Sequence, residues 1–243
     1  MDIRLGLMTG IDLPIPELKL ILHQPTIQEI AYMGEQDFFT AIHYLCLDKE
    51  ALVEDESHLQ GLTNFQVLMK VIQQFQTSEK KVAIITLFSL LFPSYKATIT
   101  PQSIILTNIE TKEMVLIDNN NFLALQDMLK QVLCVNNIFQ GDNIVYNPGN
   151  EEAKRIADKL MRGRRKAAEL KGKDNNSAIV RYLSILTIGI PMSMNNLLSL
   201  TLYQLFDLIE RYTLFIDWDI DLRVRLAGGT PKSEAENWMK NIH

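Results

Sequence analysis

SIILTNIETKEMVLI, residues 103–117, is the stretch of sequence that decides the fold class. Two runs rich in β-branched residues, Ser103–Thr107 and Glu113–Ile117, flank a polar turn at Asn108–Lys112. This arrangement predicts a β-hairpin. Elsewhere the apolar residues recur mainly at helical spacing, which predicts helices on both sides of the hairpin. The chain is therefore predicted to have an α+β fold that is mainly α-helical.

The sequence before the hairpin begins with an extended segment and continues into helices. Alternating apolar residues and two prolines in Leu13–Leu22 predict an N-terminal extended arm or an edge strand, because proline is not tolerated inside a helix. Thr26 and Glu29 have the spacing of a capping box and predict one helix that runs to about Leu47. Two further helices are predicted here, over residues 65–75 with Asn64 as the cap and over residues 78–91.

The sequence after the hairpin is also helical in pattern. The run Asp118–Asn121 can cap a helix over residues 122–135. Two more helices are predicted over residues 177–188 and 196–215. Residues 215–226 fit both an alternating strand and one face of a helix. We favour a helix there, because Gly228 and Gly229 can then form its C-terminal cap.

A stretch that contains glycine and proline, Asn136–Asn150, is the best candidate for a domain boundary. We therefore predict three parts: an N-terminal α+β domain over residues 1–146, a basic helical connector over 147–176 and a helical C-terminal segment over 177–243. With 243 residues, of which 47% are hydrophobic, the chain is long enough to form a substantial core.

The connector contains a basic block, Lys154–Lys173, in an otherwise acidic protein. Nine of its residues are Lys or Arg and only Asp158 and Glu169 oppose them, so its charge is about +7. Since the whole chain carries −5, the remainder carries about −12. Such asymmetry indicates a chain that docks onto other molecules, or onto copies of itself, by charge and apolar surface.

Three interpretations of the basic block stay open. It can be a solvated helical connector, or it can dock onto an acidic protein partner, including the acidic remainder of a second copy. Nucleic-acid binding by counterion release is the third. That interpretation is disfavoured, because the block has no aromatic residue for base stacking and the chain has a pI of about 5.4.

No constellation of residues points to catalysis, a metal or a cofactor. Cys46 and Cys134 lie in apolar runs and are predicted to be buried free thiols. His43 and Cys46 are spaced to share a helix face, yet no third orienting group and no oxyanion donor is identifiable. No serine lies in a Gly-X-Ser-X-Gly motif and no histidines have a metal-ligand spacing. We expect a non-enzymatic protein without a cofactor or a small-molecule substrate.

The acidic run Asp217–Asp221 resembles the opening of a calcium-binding loop. Such a loop needs glycine at its sixth position and a bidentate glutamate at its twelfth, where this chain has Leu222 and Gly228. The alternative is an acidic helix face that pairs with Arg223 and Arg225.

The N-terminus lacks the basic and apolar regions of a signal peptide, and no apolar stretch is long enough to span a bilayer. With only two cysteines, the chain is expected to reside in the cytoplasm.

The order of segments resembles a family of proteins encoded in the tail modules of phages and prophages of Gram-positive bacteria, described as tail assembly chaperone-like. An extended Pro-containing arm precedes a helix that opens with TIQEI, and the hairpin is followed by Asn-Asn-Phe and a helix. Then come NPGNEEAKRIADKLMRGRRKAAELKG and LTLYQLFDLIERYTLFIDWDIDLRVRLAGG, and the chain closes with ENWMKNI. The most specific parts of the resemblance are Asn147–Lys171 and Thr201–Gly228. The aspartate-rich DWD stretch departs from what the resemblance leads us to expect.

The resemblance implies a small helical protein that binds the tape measure protein or another tail protein during morphogenesis, in the host cytoplasm. It is also compatible with a tail or baseplate subunit that stays in the virion, and homo-oligomerisation stays open. The expected contact surfaces are the basic block and the last helical face. The predicted partner-binding residues are Lys159, Arg162, Arg164, Arg165, Lys166, Tyr203, Phe206, Arg211 and Trp218.

Overall fold

The computed structural model describes residues 2–46, 48, 61–74, 78–135, 177–230 and 238–239. Within these ranges the chain is mainly helical, with a two-stranded and a three-stranded antiparallel sheet. The predicted fold class, mainly helical α+β, is confirmed. The predicted basic connector, residues 147–176, lies outside the described residues.

The N-terminal segment folds into a short helix and a hairpin. Helix α1 covers Ile3–Thr9, and strands β1 (Leu13–Ile15) and β2 (Leu20–Leu22) pair with Leu13 opposite Leu22. The predicted extended backbone is present, and of the two alternatives, an edge strand or an extended arm, the strand is the one that forms. The reason is the alternation of the sequence, which buries every second apolar side chain while Pro14, lacking an N–H donor, points outward.

The next two helices occupy the stretch that was predicted as one helix. Helix α2 (Ile27–Met33) begins with the predicted capping box between Thr26 and Glu29, and helix α3 covers Glu35–Cys46. The single continuous helix is therefore wrong. Gly34 separates the two helices at φ 94, a conformation that glycine adopts without steric cost.

Two further helices precede the main sheet. Helix α4 covers Asn64–Gln73, and helix α5 covers Ser78–Leu91, beginning at the predicted residue. The cap of α4 is Thr63 rather than Asn64, because Thr63 and Gln66 form a reciprocal capping box.

The three-stranded sheet contains the predicted hairpin. Strand β3 (Tyr95–Ile99) pairs with β4 (Ile104–Asn108), which pairs with β5 (Met114–Ile117), all antiparallel. The hairpin is confirmed and β3 is an additional strand. Helix α6 (Phe122–Val132) follows the sheet. Asn121 precedes it, although its side chain makes no capping hydrogen bond.

The C-terminal part contains three helices in the described residues. They are α7 (Ala178–Gly189), α8 (Met194–Leu198) and α9 (Leu202–Leu226). The helix predicted over 196–215 is interrupted at Ser199–Thr201, because Thr201 begins a new helix with its own capping box. The favoured helical interpretation of residues 215–226 is confirmed, with Gly228 in the left-handed conformation just beyond the helix end.

Helices from both ends of the chain share one hydrophobic core. Leu186, Leu197 and Leu205 belong to the same buried cluster as Phe38 and Phe88. Hydrogen bonds also connect the C-terminal helices to the N-terminal segment. The backbone N–H of Ile27 donates to the Leu200 carbonyl at 2.8 Å, and the Gln204 Nε2 donates to the Met8 carbonyl at 2.8 Å. The C-terminal helices are thereby fixed to the N-terminal segment, while the division into separate domains stays a prediction.

Candidate partner-binding surface

The first half of α9 is anchored in the core. Its N-terminus is held by the reciprocal bonds of Thr201 and Gln204, in which the Thr201 N–H donates to Gln204 Oε1 at 2.9 Å. Leu202 and Leu205 are fully buried, and Asp207 is only 2% exposed. This half therefore provides a rigid base for the residues that follow.

The second half of α9 presents large apolar side chains to solvent. Phe215, Trp218, Leu222 and Leu226 are 39%, 37%, 38% and 79% exposed. Their spacing of three, four and four residues places them on one face of a helix. We call these four residues the C-terminal apolar stripe. Contiguous exposed apolar side chains of this kind mark interaction sites more often than isolated ones do.

Aromatic rings meet at the beginning of the stripe. The rings of Phe215 and Trp218 lie with centroids 6.2 Å apart, and Trp238 contacts Phe215 edge-on at 5.7 Å. Met239, next to Trp238, is 68% exposed. Residues near the end of the chain thus enlarge the apolar surface around Phe215.

Ion pairs along the helix accompany the stripe. Arg223 Nε lies 2.8 Å from Asp219 Oδ2, and Arg225 Nε lies 3.1 Å from Asp221 Oδ2, each pair one turn apart. The interpretation of the acidic run as a paired helix face is therefore confirmed. Two of the three aspartates in the acidic run thus pair with arginines on a continuous helix, and the run does not form a calcium loop.

Four of the predicted partner-binding residues lie in the described part of the chain, and their surroundings differ. Trp218 belongs to the exposed stripe. Tyr203 is only 8% exposed, and burial is the largest of the influences that raise its pKa. Phe206 is half-buried and packs edge-on against Tyr182, with ring centroids 5.8 Å apart. As partner contacts, all of them stay predictions.

Arg211 has a role within the fold. Its Nε donates to Asp207 Oδ2 at 2.9 Å, and the Asp207 side chain is 3% exposed. A buried carboxylate is costly without charged partners, so this pair stabilises the junction between the two halves of α9.

Further exposed apolar residues lie on the neighbouring helices, and the sequence analysis did not single them out. Val180 and Ile188 on α7 are 60% and 89% exposed, and Met194 at the start of α8 is 45% exposed. Helical spacing could have placed Val180 and Ile188 on a common face, since they are eight residues apart. Which face of an apolar helix stays uncovered depends on tertiary packing, so the sequence alone did not identify it.

The five predicted cationic contacts lie outside the described residues. They are Lys159, Arg162, Arg164, Arg165 and Lys166. Their proximity to the C-terminal apolar stripe therefore stays a prediction.

The described residues include the two cysteines and the histidine considered in the sequence analysis. Cys46 and Cys134 are buried free thiols, as predicted. Burial raises the pKa of Cys46 to about 12, so its thiol is protonated near neutral pH and gives no thiolate nucleophile beside His43. No cluster of three or more His, Cys, Asp or Glu side chains in the described ranges could hold a metal ion. Of the helices that the structure describes, none combines the length and apolar character of a bilayer-spanning segment.

Comparison with known proteins yields one family match. Residues 173–243, less than a third of the chain, match the family model described as YomV second domain, which is of phage or prophage type. The matched region contains α7, α8 and α9, and with them the C-terminal apolar stripe. Searches of curated proteins and of solved structures find no match.

Proposed function

We propose that this chain is a non-enzymatic assembly protein of a phage tail, which binds the tape measure protein or another tail protein during morphogenesis. It acts in the host cytoplasm, where the partner must be kept from aggregating. The single observation that carries the proposal is the C-terminal apolar stripe, exposed on a helix within the region similar to a domain of phage or prophage type.

The shape of the stripe supports a helical partner. Four apolar side chains along about three turns of a straight helix match the apolar face of another helix, as in helix-in-groove recognition. Covering each of these partly exposed side chains would contribute roughly 1 kcal/mol. A tape measure protein is a long helical chain with apolar stripes, so a partner of this kind offers a complementary surface.

Coexpression tests the chaperone-like role. The tape measure protein from the same phage or prophage is produced alone and together with this chain, and its soluble fraction is measured after centrifugation. We expect the tape measure protein to be soluble only in the presence of this chain. An equally insoluble tape measure protein in both cases contradicts the proposal.

A structural role in the virion is the first alternative. Since an exposed apolar stripe would serve a permanent subunit interface equally well, the composition of purified particles separates the two roles. A chaperone is absent from mature particles. Stoichiometric presence of this chain in them would establish a tail or baseplate subunit instead.

A nucleic-acid-associated role is the second alternative, and the basic block favours it. In that case binding to single-stranded or duplex DNA weakens linearly with the logarithm of the salt concentration. Replacing Arg164, Arg165 and Lys166 by Glu would abolish that binding. Absence of DNA binding at low salt removes this alternative.

A further inference from the structure

A second surface lies far from α9 in the sequence, where the N-terminal hairpin faces α6. A groove of about 640 Å³ is formed there by residues of β1, the turn that follows it, and α6. Leu13, Ile15, Leu123 and Met128 contribute apolar surface to it. Leu123 is 59% exposed in the groove, a large fraction for a leucine beside a hydrophobic core. The size of the groove is within the range of sites that bind small ligands or short peptide segments.

The groove has a negative charge. Glu17 and Asp127 line it, and none of its described lining residues is Lys or Arg. Both acids are exposed, and neither forms an ion pair with any residue that the structure describes. An occupant that combines apolar side chains with cations would therefore complement the groove in both respects.

The chain itself contains a segment with this chemistry, and the residues that precede this segment are attached close to the groove. Gln131 lines the groove, and the described part of the chain that includes it ends at Val135. It resumes at Ser177, so 41 residues lie between these points. The 19 residues from Val135 to Lys154 can span up to roughly 60 Å, so the N-terminal end of the basic block is within reach of the groove.

We propose that this groove binds the basic block, Lys154–Lys173, of the same chain. Ile156 and Leu160, one turn apart in helical spacing, supply apolar side chains for the groove, and the cations of the block face Glu17 and Asp127. The tether raises the effective concentration of the block into the millimolar range, which favours it over a free segment of another protein. The inference goes beyond the proposed function and does not depend on it.

Site-specific photocrosslinking tests the occupant directly. Leu123 is replaced by a photoreactive phenylalanine in the full-length protein, and the products are mapped by mass spectrometry after irradiation. We expect cross-links to residues within 154–173 on a band of monomer mass. The matched control carries the same photoreactive residue at Ile109, which is 54% exposed in the turn between β4 and β5 and should give no cross-link to the block. Cross-links elsewhere, or cross-linked dimers, overturn the proposal.

Charge removal in the groove gives a second readout. In the variant Glu17→Gln with Asp127→Asn, we expect trypsin to cleave after Arg162–Lys166 roughly five- to tenfold faster than in the unmodified chain, because two charge contacts are lost. The control is Glu110→Gln with Glu113→Gln, two exposed acids of the β4–β5 turn. Equal cleavage rates in the groove variant, the control and the unmodified chain would show that the block does not occupy the groove. Far-UV circular dichroism checks that each variant is folded, which is expected since all four residues are exposed.

Discussion

The two halves of α9 belong to one continuous helix and differ in what surrounds them. From Leu202 to Tyr212 the helix packs into the core, and its end is fixed by a capping box. Beyond Tyr212 several of its large apolar side chains, Phe215, Trp218 and Leu222 among them, are more than a third exposed. Both halves are rich in apolar residues, so the hydrophobic pattern alone does not distinguish surface used for folding from surface left for a partner. Tertiary packing makes that distinction.

The largest expected contrast is between two leucines of α9. Leu205→Ala removes a fully buried side chain, and we expect the free energy of unfolding to fall by about 3 kcal/mol. Leu222→Ala, at 38% exposure, should lower it by less than about 1 kcal/mol. Urea denaturation followed by circular dichroism measures both. Equal losses would mean that both halves of α9 belong to the folded core.

Arg211→Ala tests how much the ion pair at the end of the anchored half contributes to stability. The change removes a charged partner of the buried Asp207 carboxylate, and we expect a loss of about 2 kcal/mol in the free energy of unfolding. Arg223→Ala is the matched control, because its partner Asp219 is more exposed and its own side chain is 76% exposed. A similar loss in the two variants would show that the buried Asp207 pair contributes no more to stability than the exposed Asp219 pair.

Gly189→Ala tests the packing of α7 against the end of the anchored half. A Cβ at this position would lie 2.1 Å from Tyr212 Cζ, so the tyrosine ring must move. We expect destabilisation of about 1–2 kcal/mol in thermal or chemical unfolding. The double variant with Tyr212→Leu should recover most of that loss. If the double variant does not recover stability, the loss in Gly189→Ala does not come from a clash with Tyr212.

One contribution to the dependence of stability on pH should come from His23, whose partner Glu29 belongs to the capping box beside the base of α9. Burial tends to lower the pKa of His23, but hydrogen bonds to Asp12 and Glu29 and the charges of both carboxylates outweigh burial and raise it above 6.5. The folded state therefore favours the charged form. This stabilisation is fully present below the unfolded pKa of about 6.5 and is lost as pH rises through the higher folded value.

We accordingly expect the free energy of unfolding to contain a contribution that decreases as pH rises above about 6.5, and His23→Gln should remove it. His43 provides a contrast, because burial and the nearby Lys80 lower its pKa, which gives a contribution of opposite sign. An unchanged pH profile in His23→Gln would show that the contacts of His23 with Asp12 and Glu29 do not contribute to stability.

Local signals in the sequence predicted the elements that depend on neighbouring residues. The hairpin around Asn108–Lys112 and the capping box of Thr26 and Glu29 have signatures within a few residues, and both are present. The breaks at Gly34 and Thr201 were missed, because the apolar periodicity continues across each of them. Strand β3 was missed since a five-residue strand becomes stable only through its pairing with β4.

The candidate surface was only partly predictable. Trp218 and Tyr203 were both predicted as partner contacts, yet Trp218 is exposed whereas Tyr203 is buried beside Asp207. The sequence of a single helix turn does not show whether α1 or solvent lies against that turn. The cationic residues of the basic block lie outside the described residues, so their contribution stays a prediction.

The most direct test compares folding and binding in one variant, Phe215→Gln with Trp218→Gln. Its free energy of unfolding and its ability to keep the coexpressed tape measure protein soluble are both measured, with Val82→Gln, an apolar residue of α5 that is 55% exposed, as the control. We predict that the stripe variant stays folded, losing about 2–3 kcal/mol because both rings are partly buried, and loses the solubilising effect, while the control keeps both its stability and that effect. A stripe variant that solubilises the partner as well as the unmodified chain would contradict the assignment of the second half of α9 to partner binding.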